Sequence, residues 1–299
     1  MTKRKLLVCG SAGFLMSNFI RYLLYRSKDF EVVSVDRLSD ADDAKRVYVR
    51  KDHRFYLGDV TDDRFMERLL HIEKPDVIVN GIGYDEKRSD QFRHVDAILA
   101  VHSLAQYDVP VVQLVHDPDL DRLGTGKVTA NITLRKQENT LISLPNCFGF
   151  RQKTDSGLAF LIGELLAGRP IKWARSSSSW AYAEDVASLV WFVIENDITS
   201  EISMPVLGTI CIGEIADILA EIFEVKPVIH NSSEPFEGLD AFSDKDSIWI
   251  GMASAYMETT GDTTGKTTGK IGKWVPDSSN LRDAIIKTAR WYKANRWAL

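Results

Sequence analysis

The chain has 299 residues, 44% of them hydrophobic, and a formal charge of −5 from 37 basic and 42 acidic side chains. That length and apolar content support one large α/β domain, or a domain with a smaller lobe. The charges are dispersed, with no basic stripe to displace counterions from phosphates, which argues against nucleic acid as the main partner. Cys9, Cys147 and Cys211 lie in apolar contexts without a C-x-x-C spacing, so reduced thiols, no metal site and a cytoplasmic setting are expected. The first apolar stretch is broken by Gly10, Ser11 and Gly13 and reads as no secretory leader. The longest later run, Val186 to Ile194, is too short to cross a bilayer, so no membrane partner is expected.

In chain order, the run from Leu6 to Cys9 stops at Gly10, Gly13 follows, and an amphipathic segment begins. Strand, Gly-rich turn and helix in that order put the backbone of Gly10, Ser11, Ala12, Gly13, Phe14 and Leu15 where a pyrophosphate can dock. Asp36 closes the next apolar run, at the distance where a carboxylate accepts from a ribose 2′-hydroxyl. A carboxylate repels a 2′-phosphate and favours NAD over NADP, while the adjacent Arg37 weakens that preference.

Strands are predicted at 6–9, 31–35, 54–57, 77–80, 109–115 and 140–144, with helices between them at 14–25, 62–72 and 92–106. This alternation is that of an α/β protein with a doubly wound parallel sheet. After Pro145 the periodicity changes, with helices predicted at 157–167, 183–195, 212–223 and 280–295. The expected organisation is a dinucleotide-binding domain over 1–150 and a smaller C-terminal α/β substrate lobe over 151–299, with the chain crossing back once. A segment at 258–270 repeats Thr-Thr-Gly three times; no apolar strand leads into it, so it reads as a polar loop and not as a phosphate-binding loop.

Several stretches together resemble the extended short-chain dehydrogenase/reductase family, in particular its NAD-dependent nucleotide-sugar epimerases and dehydratases of the dTDP-glucose 4,6-dehydratase type. They are GSAGFLMSNFIRYLL at 10–24, YLGDVTDDRFMERLLHIEKPDVIVN at 56–80, NCFGFRQ at 146–152, WAYAEDVA at 180–187 and KWVPDSSNLRDAIIKTARWYKANRW at 273–297. The resemblance implies a Rossmann-type fold, bound NAD, a nucleotide-sugar ligand and a homodimer built on the helix at 92–106, whose apolar residues would equally suit a core. It places Asp59 and Val60, and the chain at Ile82, beside the adenine end of the cofactor, although Asp59 also reads as a helix cap. The family's third glycine falls on Met16, so the first helix must stand away from the sheet or be compensated.

Catalysis in the family rests on a Tyr-x-x-x-Lys pair. Aligning Lys127 with the lysine puts Leu123 where the tyrosine belongs, and the residues after the fifth strand are His116, Asp117 and Pro118. His116, tuned by Asp117 or Asp119, is a candidate replacement base, and Tyr84 a candidate phenol near the same crevice. Asn146 matches the turn asparagine that approaches substrate phosphates, or is a plain turn former. The family's diphosphate-binding arginine falls on Ser178, with Arg175 close by. Two functions are therefore expected: a nucleotide-sugar enzyme, or a non-catalytic descendant that keeps a nucleotide site for sensing, scaffolding or assembly.

Overall fold

The computed structural model describes residues 3–39, 41–82, 109–116, 139–154, 157–173, 177–204, 208–227, 229–231, 274–278 and 280–298. The predicted helix at 92–106 and the polar repeat at 258–270 lie outside them. The chain divides into two compact units, Met1–Leu144 with Ala187–Met204, and Pro145–Val186 with Pro205–Leu299.

The first unit contains β1 (Arg4–Cys9), α1 (Phe14–Arg26), β2 (Phe30–Asp36), α2 (Ala41–Arg46), β3 (His53–Leu57), α3 (Asp63–Glu73), β4 (Val77–Asn80), β5 (Val111–His116), β6 (Thr140–Leu144) and β10 (Glu201–Ser203). These form a seven-stranded sheet in the order β10-β6-β5-β4-β1-β2-β3, with every pairing parallel. The strand order reverses at β1, the place where open α/β sheets bind ligands. Strands such as VIVN of β4 are buried throughout, as a sheet covered on both faces demands. The sequence-derived fold class is the observed one.

Strand boundaries depart from the apolar pattern for identifiable reasons. β1 starts at Arg4 because Arg4 and Lys5 pair through their backbones with Phe30 and Glu31, whatever their side chains prefer. β5 starts at Val111, since Pro110 has no N–H to give, although its carbonyl still accepts from Ile78 at 2.9 Å. α3 begins one residue later than predicted because Asp62 is its N-cap, accepting the Phe65 N–H at 3.1 Å.

One polar knot ties this half of the sheet to α3. Glu73, 4% exposed, receives Arg54 Nε at 3.0 Å, Tyr56 OH and Lys5 Nζ at 3.3 Å, so that α3, β3 and β1 share one carboxylate. Burial alone would raise its pKa; the hydrogen bonds from Arg54 and Tyr56 and the charge of Arg54 outweigh that and hold it at about 2.

The second unit contains β7 (Asn146–Phe148), α4 (Gly157–Leu166), β8 (Ile171–Trp173), β9 (Ser177–Tyr182), the start of α5 (Ala183–Glu195), β11 (Thr209–Cys211), α6 (Ile212–Phe223), β12 (Ile229–Asn231) and α7 (Leu281–Ala294). It has a three-stranded sheet β11-β9-β7 and a two-stranded sheet β12-β8. Phe148, Leu161, Trp180, Tyr182, Leu219 and Tyr292 belong to its core. The tail motif is structural: Tyr292 OH donates to the Gln152 carbonyl at 3.3 Å, and the Ser278 N–H donates to buried Asp185 at 3.0 Å.

The folded value of Glu73 lies below its ordinary 4.5, so its contribution to stability is full above that pH and is lost as pH falls toward 2. Glu73→Gln is expected to cost about 2 kcal/mol at neutral pH and to flatten the acid limb of the stability profile. Urea unfolding measured between neutral and strongly acid pH checks both.

Candidate functional site

The turn after β1 needs glycine twice, for different reasons. Gly10 sits at φ 71°, a region that side chains rarely adopt, and a Cβ there would also meet Ile82 Cγ1 at 3.0 Å. Gly13 has ordinary extended dihedrals as the N-cap of α1, but a Cβ would stand 2.9 Å from the Gly10 carbonyl.

The turn uses up most of its own amides. Gly10 and Ser11 donate to the Val35 carbonyl at 3.0 and 3.3 Å, Ala12 to Asp36 Oδ2 at 2.9 Å, and Gly13 to the Gly10 carbonyl at 3.0 Å. These bonds of residues 10–13 hold the loop in shape. Among the described residues no side chain caps α1, and its own ladder starts with Ser17 N–H to the Gly13 carbonyl at 2.9 Å. The N–H groups of Phe14, Leu15 and Met16 therefore precede the ladder, at the positive end of the helix dipole. Beside them Ser11 is 3% exposed, and its hydroxyl makes no hydrogen bond among the described residues.

Asp36 faces this turn from the end of β2. Its carboxylate accepts the N–H of Ala12 at 2.9 Å and of Leu38 at 2.8 Å, leaving lone pairs for a further donor. Burial pushes its pKa up; the amides of Leu38 and Ala12 oppose this, Asp43 adds to the rise, and Arg37 counters it. Arg37 Nη1 stands 3.8 Å from Asp59 Oδ2. Asp59 closes a turn by accepting the Thr61 N–H at 3.0 Å and hydroxyl at 2.8 Å, leaving the helix cap to Asp62. Val60 is buried in the core under β1 and β2, and Ile82 packs partly buried against the same cluster. Cys9, wholly buried and pushed up to about 12 by burial and then by Asp36, is no nucleophile.

Sequence reasoning missed one buried polar pair. Asn80 and Gln113 are fully buried and opposite each other in the β4–β5 register. Asn80 Nδ2 donates to Gln113 Oε1 at 2.8 Å, Gln113 Nε2 donates to the Leu114 carbonyl at 2.8 Å, and Asn80 Oδ1 accepts the Ile82 N–H at 3.3 Å. The pair thus fixes the chain leaving β4 beside the glycine turn. An amide side chain in each of two otherwise apolar strands, VIVN and VVQLV, was the available signal.

His116 is the last residue of β5, in register with Leu144. Its side chain, together with Asp117, Lys127, Tyr84 and Arg175, lies outside the described residues. Asn146 opens β7 in the second unit, in register with Trp180. Among the described residues, no group of three or more His, Cys, Asp or Glu could hold a metal ion, and no helix is long and apolar enough to cross a membrane.

A parallel sheet in this order, with a glycine turn opening a helix at the reversal point and a carboxylate ending the next strand, defines the Rossmann class of nucleotide-binding folds. Within that class, residues 6–111 match the NAD dependent epimerase/dehydratase family, the resemblance that the motifs carried. The low-salt glycan biosynthesis protein Agl12 of Haloferax volcanii is 43% identical over 77 residues, 25% of this chain and 24% of that protein, so the match spans about a quarter of the curated relative. The fold extends much further than the sequence likeness. The NAD complex of dTDP-glucose 4,6-dehydratase from Bacillus anthracis superposes with a TM-score of 0.77 at 14% identity, covering 98% of each chain. The Bordetella bronchiseptica enzyme WbmG in complex with NAD and UDP gives a TM-score of 0.77 at 15% identity, over 98% of this chain and 96% of that one.

Asp36→Asn forces an amide NH2 against the N–H of either Ala12 or Leu38. The expected cost is about 1–2 kcal/mol, read as a lower urea midpoint with an unchanged m-value.

Proposed function

We propose that the chain binds NAD in its first unit and acts on, or binds, a nucleotide-diphosphate sugar, as an epimerase or dehydratase of the family that residues 6–111 match. One observation carries the reading: the uncapped first turn of α1 stands beside a carboxylate already fixed on the glycine turn. The residues present fit a dinucleotide. The amides of Phe14, Leu15 and Met16 would take the pyrophosphate, the buried Ser11 hydroxyl supplies an unspent hydrogen bond, and Asp36 would accept from the adenosine ribose. The Asp36 carboxylate itself would repel a 2′-phosphate, which favours NAD over NADP. Similar folds are solved with NAD bound, and one with NAD and UDP.

When bound, NAD supplies a hydride acceptor. The protein must then move the proton of a sugar hydroxyl, and Leu123 at the tyrosine position cannot do so. We assign that step to His116, at the carboxyl end of β5, tuned by Asp117, with Lys127 at the position of the family's lysine; Tyr84, Asn146 and Arg175 are the candidate substrate-binding residues. A second reading, a non-catalytic nucleotide-binding descendant, is favoured by the same Leu123 together with Pro118 and Ser178. A cytoplasmic homodimer, paired through the helix predicted at 92–106, completes the proposal.

Assay of the supernatant after denaturation is expected to release NAD(H) in near-stoichiometric amount. Protein that is empty, and shows no thermal shift with NAD or NADP, would remove the dinucleotide reading. On a panel of nucleotide sugars, a 4-keto or epimerised product is expected, and His116→Asn is expected to reduce turnover by about 10²-fold or more. Turnover unchanged in that variant would discard His116, and no product from any sugar would favour the non-catalytic reading.

A further inference from the structure

We infer that Met16 and Gly81 are a complementary pair, a long side chain on α1 set over a missing one just beyond β4, and that the pair positions the first-turn amides of α1. The functional half of this inference rests on the dinucleotide reading; the packing half stands alone. A third glycine in such turns lets the helix approach the sheet closely, and here that position is Met16. Its side chain is not turned out to solvent, being 1% exposed. A Cβ at residue 81 would stand 2.2 Å from Met16 Cγ and 2.6 Å from its Sδ.

The backbone gives no separate reason for glycine at 81. Gly10 has a φ of 71°, whereas Gly81 is absent from the positive-φ glycines, so alanine is allowed there by conformation. Nor can the residue retreat. Its N–H is bonded to the Cys9 carbonyl at 3.1 Å, and the N–H of Ile82 is held by the buried Asn80 at 3.3 Å. The clash falls on Cγ, in the middle of the methionine, so turning its terminal methyl does not relieve it. Any side chain at 81 must therefore displace Met16, whose Cγ yields either by a change of its first torsion within a closed core or by a shift of the α1 turn that carries the Phe14, Leu15 and Met16 amides. The glycine that permits close packing here stands at the end of the strand and not on the helix.

The test is a double-mutant cycle of Gly81→Ala, Met16→Ala and both together. NAD affinity is measured by calorimetry well below every unfolding midpoint, and urea unfolding is measured without ligand. Gly81→Ala is expected to weaken NAD binding about tenfold or more in the native background, but less than about twofold in the Met16→Ala background. The same rescue is expected in the urea midpoint. Equal losses in both backgrounds, or native affinity in Gly81→Ala alone, would overturn the positioning role. If the native protein binds no NAD, the proposed function fails, while the ligand-free cycle still decides the packing: additive midpoints overturn the pair and non-additive ones support it.

Discussion

The end of β2 is the constraint on which the candidate site depends. The carbonyl of Val35 and the carboxylate of Asp36 together take three consecutive amides of the glycine turn, from Gly10, Ser11 and Ala12. Each of those bonds is local to the junction between β1 and β2, and the parallel register from Arg4–Phe30 to Cys9–Val35 brings the two ends level. With its donors satisfied inside the turn, the loop has a single shape, and α1 leaves it with the first-turn N–H groups unspent. The carboxylate thus has a structural duty that precedes any ligand. Its partial burial, which raises its pKa, is the energetic cost of placing it there.

The sheet was legible because parallel strands buried on both faces are continuous apolar runs, and Leu6–Cys9, Val77–Asn80 and Thr140–Leu144 are such runs. Helices with wide apolar stripes, such as Ala183–Glu195 and Ile212–Phe223, match their predicted ranges to the residue. Bonding inside the turn was not legible. Nothing in the letters GSAG tells which amides the loop keeps and which the helix leaves over, because that depends on where Val35 and Asp36 end. Nor was the partner of Met16, since Gly81 is distant in sequence and meets it only after β1 and β4 pair. Asn80 and Gln113 were passed over for the converse reason: in isolation each reads as a flaw in an apolar strand, and only the β4–β5 register shows that they satisfy each other.

The family match covers residues 6–111, where the turn, the Asp36 carboxylate and the Gly81 contact lie. The departures expected from the resemblance fall both inside that stretch, at Met16, and after it, at Pro118, Leu123 and Ser178. A fold shared over nearly the whole chain at 14% identity speaks for the framework alone, and function belongs to the site set on it.

The connectivity of α5 and β10 has a consequence for anyone dividing the molecule. β10 comes from Glu201–Ser203, far beyond the other strands of its sheet, and it covers the outer edge of β6 through the pairing of Leu141 with Glu201 and Ser143 with Ser203. A fragment ending near residue 150 would keep every glycine and carboxylate of the turn yet expose β6 as a bare strand edge, a template for self-association. The first unit is therefore not a detachable cassette: its sheet is completed by a stretch of chain encoded after most of the second unit's first sheet.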